Sequence, residues 1–117
     1  MGVVIVSING LKAVNTALGN SFGDSIVQQT AEIMKTTLDT DIYRIGGDEF
    51  ISLHPDLSAD TFEKTVDNLR NTFSMNQACS VSIGVSWSDH DIDVHELASL
   101  ADQQLNQNKK AALTAAP

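Results

Sequence analysis

Arg44-Ile45-Gly46-Gly47-Asp48-Glu49-Phe50 is the stretch on which the fold turns. An apolar, β-branched run (Ile42, Tyr43, Ile45) leads into two glycines and two adjacent carboxylates, and a second apolar run, Phe50-Ile51-Ser52-Leu53, follows. Strand, Gly-Gly, strand predicts a short β-hairpin near residues 42–46 and 49–54, with the glycines taking the positive φ angles of a tight turn. Turns that only reverse a chain favour Asn-Gly or Asp-Gly, so an Asp-Glu pair at the tip calls for a chemical explanation. Two hard carboxylate donors beside a bare backbone suit Mg²⁺ carrying phosphates, since that ion keeps water and takes only one or two protein carboxylates. The plain alternative is a solvated turn, and the four residues Gly46 to Glu49 taken alone favour it.

On either side of the hairpin the apolar pattern changes period. Val3-Val4-Ile5-Val6-Ser7-Ile8 is continuously apolar but for Ser7, as in a strand buried on both faces. Leu11, Val14, Ala17 and Leu18 recur at helical spacing until Gly19, and Asn20-Ser21-Phe22-Gly23 reads as a loop. Ile26, Val27, Thr30, Ala31, Met34 and Leu38 then mark a longer helix with Asp24 at its start, where exposed N–H groups favour a carboxylate. Phe62, Val66, Leu69 and Phe73 predict a third helix, whose cap is contested between Ser58 and Asp60. Residues 81–87 alternate as a strand with one face in the core. Asp93 and Glu96 open a last helix through Val94, Leu97, Ala98, Ala101 and Leu105, and the tail 111–117 is expected to fray. The order is β-α-α-β-β-α-β-α, an α+β fold with an antiparallel, ferredoxin-like sheet and flanking helices.

Composition narrows the function. One domain over residues 1–117 is expected, long enough for a real core. No run approaches a membrane span and no signal peptide opens the chain. The lone Cys79, at the start of a strand pattern, excludes an internal disulfide framework. With a formal charge of −8, the surface repels a phosphate backbone, which argues against nucleic acid as a partner. An anionic nucleotide would need a metal and a few placed cations from among Lys12, Lys35, Arg44, Lys64, Arg70, Lys109 and Lys110. Asp89, Asp91 and Asp93 alternate like an EF-hand loop, but Val94 and Leu100 stand where that loop needs Gly and Glu. His90 and His95 read as solvated, and His54 as an ordinary strand-end residue.

The hairpin motif, with residues 7–15, Phe22-Gly23-Asp24 and Ala101-Asp102, resembles the GGDEF family, the diguanylate cyclase domains. The resemblance implies a palm-like fold and a reaction in which two GTP molecules, one per subunit of a homodimer, condense to cyclic di-GMP. It implies Mg²⁺ or Mn²⁺ held by Asp48, Glu49, the Ile8 carbonyl and the residue at Ser7. It matches Asn15 and Asp24 to the guanine-binding pair, and Gly10, Leu11, Lys12, Gly46, Gly47 and Lys109 to the phosphate-binding surroundings. It further implies a cytoplasmic domain trimmed of an upstream helix, from a parent that can be membrane-anchored and carry a phosphodiesterase or sensor domain.

The chain departs from the family at telling places. Ser7 stands for the Asp that bridges both ions, and Asn9 for the second Asp. Asn108, Ala112, Leu113 and Thr114 replace the Ala, Gly, Arg and Asn of the family ending, and Thr37-Leu38-Asp39-Thr40 replaces the Arg-x-x-Asp product-inhibition site. Three readings result: a degenerate domain that binds GTP or another guanine nucleotide with Mg²⁺ and regulates a neighbour, which is preferred; an active, slow cyclase; and a fold kept only as a dimerisation surface.

Overall fold

The computed structural model describes residues 1–76 and 80–111 in full and the backbone of 112–115. Cys79 lies outside the described residues. The elements are β1 (Gly2–Ile8), α1 (Leu11–Leu18), α2 (Asn20–Leu38), β2 (Ile42–Arg44), β3 (Glu49–His54), α3 (Ala59–Met75), β4 (Val81–Trp87) and α4 (Val94–Ala115). The strands form one sheet in the order β2-β3-β1-β4, every pair antiparallel. The order expected from the sequence, β-α-α-β-β-α-β-α, is the one observed.

β1 is the centre of the sheet, and all seven of its residues are buried. Because side chains alternate across a strand, Val4, Val6 and Ile8 face one core while Val3 and Ile5 face another. The larger core joins β1 to Ile26, Val27, Met34 and Leu38 of α2 and to Phe62, Val66, Leu69 and Phe73 of α3. The smaller sets Val3 and Ile5 against Leu97, Ala101 and Leu105 of α4. A strand with helices on both faces must be apolar at almost every position, which is why residues 3–8 carry no alternation.

Several local expectations are corrected. Residues 20–23 are not a loop: α2 starts at Asn20, directly after Gly19 at φ 91°. Gly19 therefore bends α1 into α2 without any intervening coil, and Asp24 lies inside α2 rather than capping it. Gly46 and Gly47 do not adopt positive φ; among the glycines only Gly10 and Gly19 do. The hairpin reverses through the three residues 46–48, closed by the Ile45 N–H donating to the Glu49 carbonyl at 2.9 Å.

Ser58 is the cap of α3, accepting from the Thr61 N–H, and Asp60 falls in the first turn. Asp93 caps α4 through its Oδ1, which accepts from the His95 N–H at 2.9 Å. α4 continues to Ala115, through most of the tail that was expected to fray. The polar face of β4 (Ser82, Gly84, Ser86) is not solvated; α4 covers it. A Cβ on Gly84 would lie 2.1 Å from the Ala101 carbonyl oxygen and 2.6 Å from the Leu105 nitrogen, so glycine is what lets the helix backbone settle there.

His54 ends β3 as expected, and it is also buried, 2.9 Å from the Ser52 hydroxyl through Nε2 and edge-on to the Phe62 ring. Burial pushes its pKa below the ordinary 6.5, because the charged form would lose water. As pH falls through that value the unfolded chain takes up the proton first, and the folded chain only later. The unfolded state then binds more protons, so this group's share of the stability is full above about pH 6.5 and is lost on acidification. Urea midpoints measured at about pH 7.5 and about pH 5.5 will differ more for the natural chain than for His54→Gln, which cannot titrate.

Candidate functional site

The site lies where β1 ends and the β2–β3 hairpin turns. One backbone bond joins the two: the Ile8 N–H donates to the Asp48 carbonyl at 2.8 Å. Arg44 secures the tip, donating from Nε to the Gly46 carbonyl (3.2 Å) and from Nη2 to the Gly47 carbonyl. With both carbonyls tied back, the tip keeps one shape. Asp48 and Glu49 are half-exposed, and neither has an ion-pair partner among the described residues.

Beside the tip, α1, the start of α2 and the hairpin enclose a groove of about 310 Å³. Leu11, Lys12, Asn15, Gly23, Asp24, Val27, Arg44, Gly47 and Asp48 line it. Six of these come from the residues picked out by motif: Leu11, Lys12, Asn15, Asp24, Gly47 and Asp48. They sit on three elements and meet only in the fold.

Asn15 is more than a surface residue of α1. It is half-buried, and its Oδ1 is shielded from solvent with no hydrogen-bond partner. A Cβ on Gly23 would fall 1.5 Å from that oxygen, so Gly23 provides the space into which the amide is wedged. A buried acceptor without a donor costs about 1–3 kcal/mol and calls for one. Asp24, freed from capping, presents its exposed carboxylate to the same groove. Gly47 also lines it, and a Cβ there would meet nothing within 4 Å. Since neither φ nor packing demands glycine at 47, the bare backbone serves whatever enters the groove.

Gly10 precedes α1 at φ 67° in the left-handed region, where glycine is favoured, and α1 has no side-chain cap. The first-turn N–H groups of α1 are thus left for a ligand, beside Lys12. Three further site candidates lie outside the groove. Gly46 holds Arg44 through its carbonyl; Glu49 opens β3; Lys109 is on α4.

Ser7 is the outlier. It pairs with Glu49 on β3 and Ser82 on β4, so the three side chains share one face of the sheet. Yet Ser7 is wholly buried, and its Oγ has no hydrogen-bond partner. Asn9, one pleat further, is occupied structurally: its Oδ1 accepts from Ser82 Oγ (2.9 Å) and its Nδ2 donates to Ser80 Oγ (3.2 Å). The donor set that remains for a cation is the two carboxylates of Asp48 and Glu49 and the Ile8 carbonyl. These are hard oxygens of the kind that suit one Mg²⁺ completed by water and phosphate. Among the described residues no group of three or more His, Cys, Asp or Glu is placed to hold a metal.

Motif reading left Arg44 open and missed Val27. Arg44 proves to hold the turn and to line the groove at once. Val27 was legible as the residue one helical turn beyond Asp24, on the same face. In the acidic turn at 89–93 the Asp89 carboxylate meets exposed His90 at 3.0 Å and Asp93 caps α4.

An antiparallel sheet whose carboxylate-bearing hairpin stands beside the uncapped start of α1 defines a palm-like α+β class of domain. Comparison makes it specific: the family described as "Diguanylate cyclase, GGDEF domain" matches residues 1–113, and the chain belongs to that family. It is 31% identical to the signaling protein YkoW of Bacillus subtilis over 92% of its length. It is 32% identical, again over 92%, to the bifunctional diguanylate cyclase/cyclic di-GMP phosphodiesterase MucR of Pseudomonas aeruginosa. The chain spans only 15% of the first and 17% of the second. The solved GGDEF domain of DgcB from Caulobacter crescentus, in complex with c-di-GMP, superposes with a TM-score of 0.83. That likeness covers 94% of this chain and 72% of DgcB's at 21% identity, and it speaks to the fold.

Ser7→Asp tests the metal side. It puts a carboxylate into a sealed position beside Glu49, and will lower stability by about 2 kcal/mol or more in chelator. Millimolar Mg²⁺ will return much of that loss, since an ion that binds only the folded state stabilises it. Thermal melts with and without Mg²⁺ will show a larger Mg²⁺-dependent rise in Tm for Ser7→Asp than for the natural chain.

Proposed function

We propose that this is a degenerate GGDEF domain, which binds GTP with a single divalent cation and regulates a neighbouring domain instead of turning over. The observation that carries it is a contrast within one site: Lys12, Asn15, Asp24 and Asp48 line a formed groove, while Ser7 is a sealed hydroxyl where the reaction needs a bridging carboxylate.

The exposed Asp24 carboxylate accepts from the N1–H and exocyclic amine that guanine presents on its Watson–Crick edge, and the Asn15 amide pairs with other edge atoms, whereas adenine presents an acceptor at N1, which a carboxylate repels. The free N–H groups at the start of α1, Lys12 and the bare Gly47 backbone suit the phosphates. Asp48 and Glu49, with the Ile8 carbonyl, would hold Mg²⁺ or Mn²⁺. A bound divalent ion neutralises phosphate charge and fixes the nucleotide; activating a 3′-hydroxyl in addition requires a second ion, for which the charge at Ser7 is lacking. The homodimer that catalysis demands is not required for this regulatory use. Residues 1–117 are read as one domain, cytoplasmic, within a longer signalling protein. Two facts support this: the relatives are several times longer, and no helix among the described residues is long and apolar enough to cross a membrane.

Isothermal titration with GTP and Mg²⁺ will give a heat of binding at millimolar nucleotide or below, and ATP will bind more weakly. Incubation with GTP and Mn²⁺ will yield no cyclic di-GMP by chromatography. Brisk product would make this an active cyclase held by Asp48 and Glu49 alone, and absence of any binding would leave only a dimerisation surface. Gly47→Ala will change stability by no more than about 0.5 kcal/mol, because its Cβ meets nothing, yet will weaken GTP binding.

A further inference from the structure

α4 is bolted to the outer edge of the sheet by side chains rather than by packing alone. β4 is an edge strand, so its outward N–H and C=O groups have no neighbouring strand. Two α4 residues one turn apart take that place. Gln104 Oε1 accepts from the Val85 N–H at 2.7 Å, and Asn108 Nδ2 donates to the Ile83 carbonyl at 2.6 Å. Further up, Ser86 Oγ donates to the Leu97 carbonyl at 2.6 Å, and Gly84 admits the helix backbone at Ala101 and Leu105.

These contacts descend β4 as they ascend α4: Ser86 meets Leu97, Gly84 meets Ala101 and Leu105, and Ile83 meets Asn108. The next residue down the strand is Ser82, which pairs with Ser7, which in turn pairs with Glu49. Asn108 therefore anchors α4 at the threshold of the proposed phosphate site. It also sets the helix's rotation. With Gln104 and Asn108 turned to the outer edge, Lys109 stands about 100° further round, on the side that looks back toward β1 and β3. It is one turn beyond Leu105, a core residue. Lys109 is half-buried, whereas Lys12, Lys35, Lys64 and Lys110 are exposed, as expected of a lysine lying along the sheet.

We infer that Asn108, backed by Gln104, is a positioning residue that aims Lys109 at the nucleotide's triphosphate. The inference rests on the GTP-binding reading above. The amide is what makes the bond: the alanine implied for this position by the family resemblance could not reach a carbonyl. With the terminal Arg of the family replaced by Leu113, α4 keeps two cations, the exposed Lys110 and Lys109, and of these Lys109 is the one half-buried against the sheet.

The test compares GTP with guanosine, both with Mg²⁺, by amide chemical-shift titration of the 117-residue chain and its variants. Asn108→Ala will weaken GTP binding about three- to tenfold, the scale of one lost hydrogen bond, and leave guanosine unchanged. Lys109→Ala will weaken GTP at least as much, and adding Asn108→Ala to it will cost nothing further. Asn108→Gln, which keeps a donor, will recover part of the loss, and Gln104→Ala serves as a milder variant should Asn108→Ala melt early. Equal losses for GTP and guanosine, additive losses in the double variant, or an unaffected Asn108→Ala or Lys109→Ala would overturn the assignment. If the natural chain binds guanosine but gains nothing from the triphosphate, the positioning claim fails while base recognition stands. If it binds neither, the function proposal itself has failed.

Discussion

β1 has to satisfy two cores and two neighbouring strands at once, and the rest of the structure follows from that confinement. Its backbone is paired on one side with β3 and on the other with β4, and its side chains are divided between the helices of opposite faces. Such a strand has no freedom to slip, since a shift of one residue would exchange its two faces. Its end at Ile8 is therefore a fixed point, and the bond from Ile8 to the Asp48 carbonyl transfers that fixity to the hairpin tip. Arg44, clasping the carbonyls of Gly46 and Gly47, then decides the shape of the tip itself.

On this frame the two halves of the site have different fates. The groove half is open, with the Asp24 carboxylate and a glycine backbone exposed to it. The metal half is pared down: Ser7 is enclosed and Asn9 is engaged with Ser80 and Ser82. Replacing an acid with serine at the centre of a sheet relieves the fold of a buried charge, whose desolvation is costly unless an ion compensates it. The ligand-free fold gains from that change, which gives the substitution a physical direction.

α4 shows the same economy of means on the opposite face. It seals β4's edge with two amides, buries the small face Ser82-Gly84-Ser86, and carries the one half-buried lysine, next to Asn108. Glycine's absent side chain at 84 and the amide spacing at 104 and 108 are parts of one docking geometry.

Element types, their order, the two-faced burial of β1, the hairpin and most of the groove's residues were legible in the chain itself. Those features depend on periodicities of 2 and 3.6 and on motif chemistry, which are local. Other features came only with the fold. The helical state of residues 20–23 reflects Gly19 joining α1 to α2, and it turned Asp24 from a cap into a groove residue. The φ of Gly46 and Gly47, not positive, was likewise not to be read from the motif. The burial of His54, the sealing of Ser7 and the wedge of Asn15 against Gly23 each depend on neighbours distant in sequence. Local pattern can say which residues prefer water or a strand; which atoms find no partner is decided by what the other elements bring up against them.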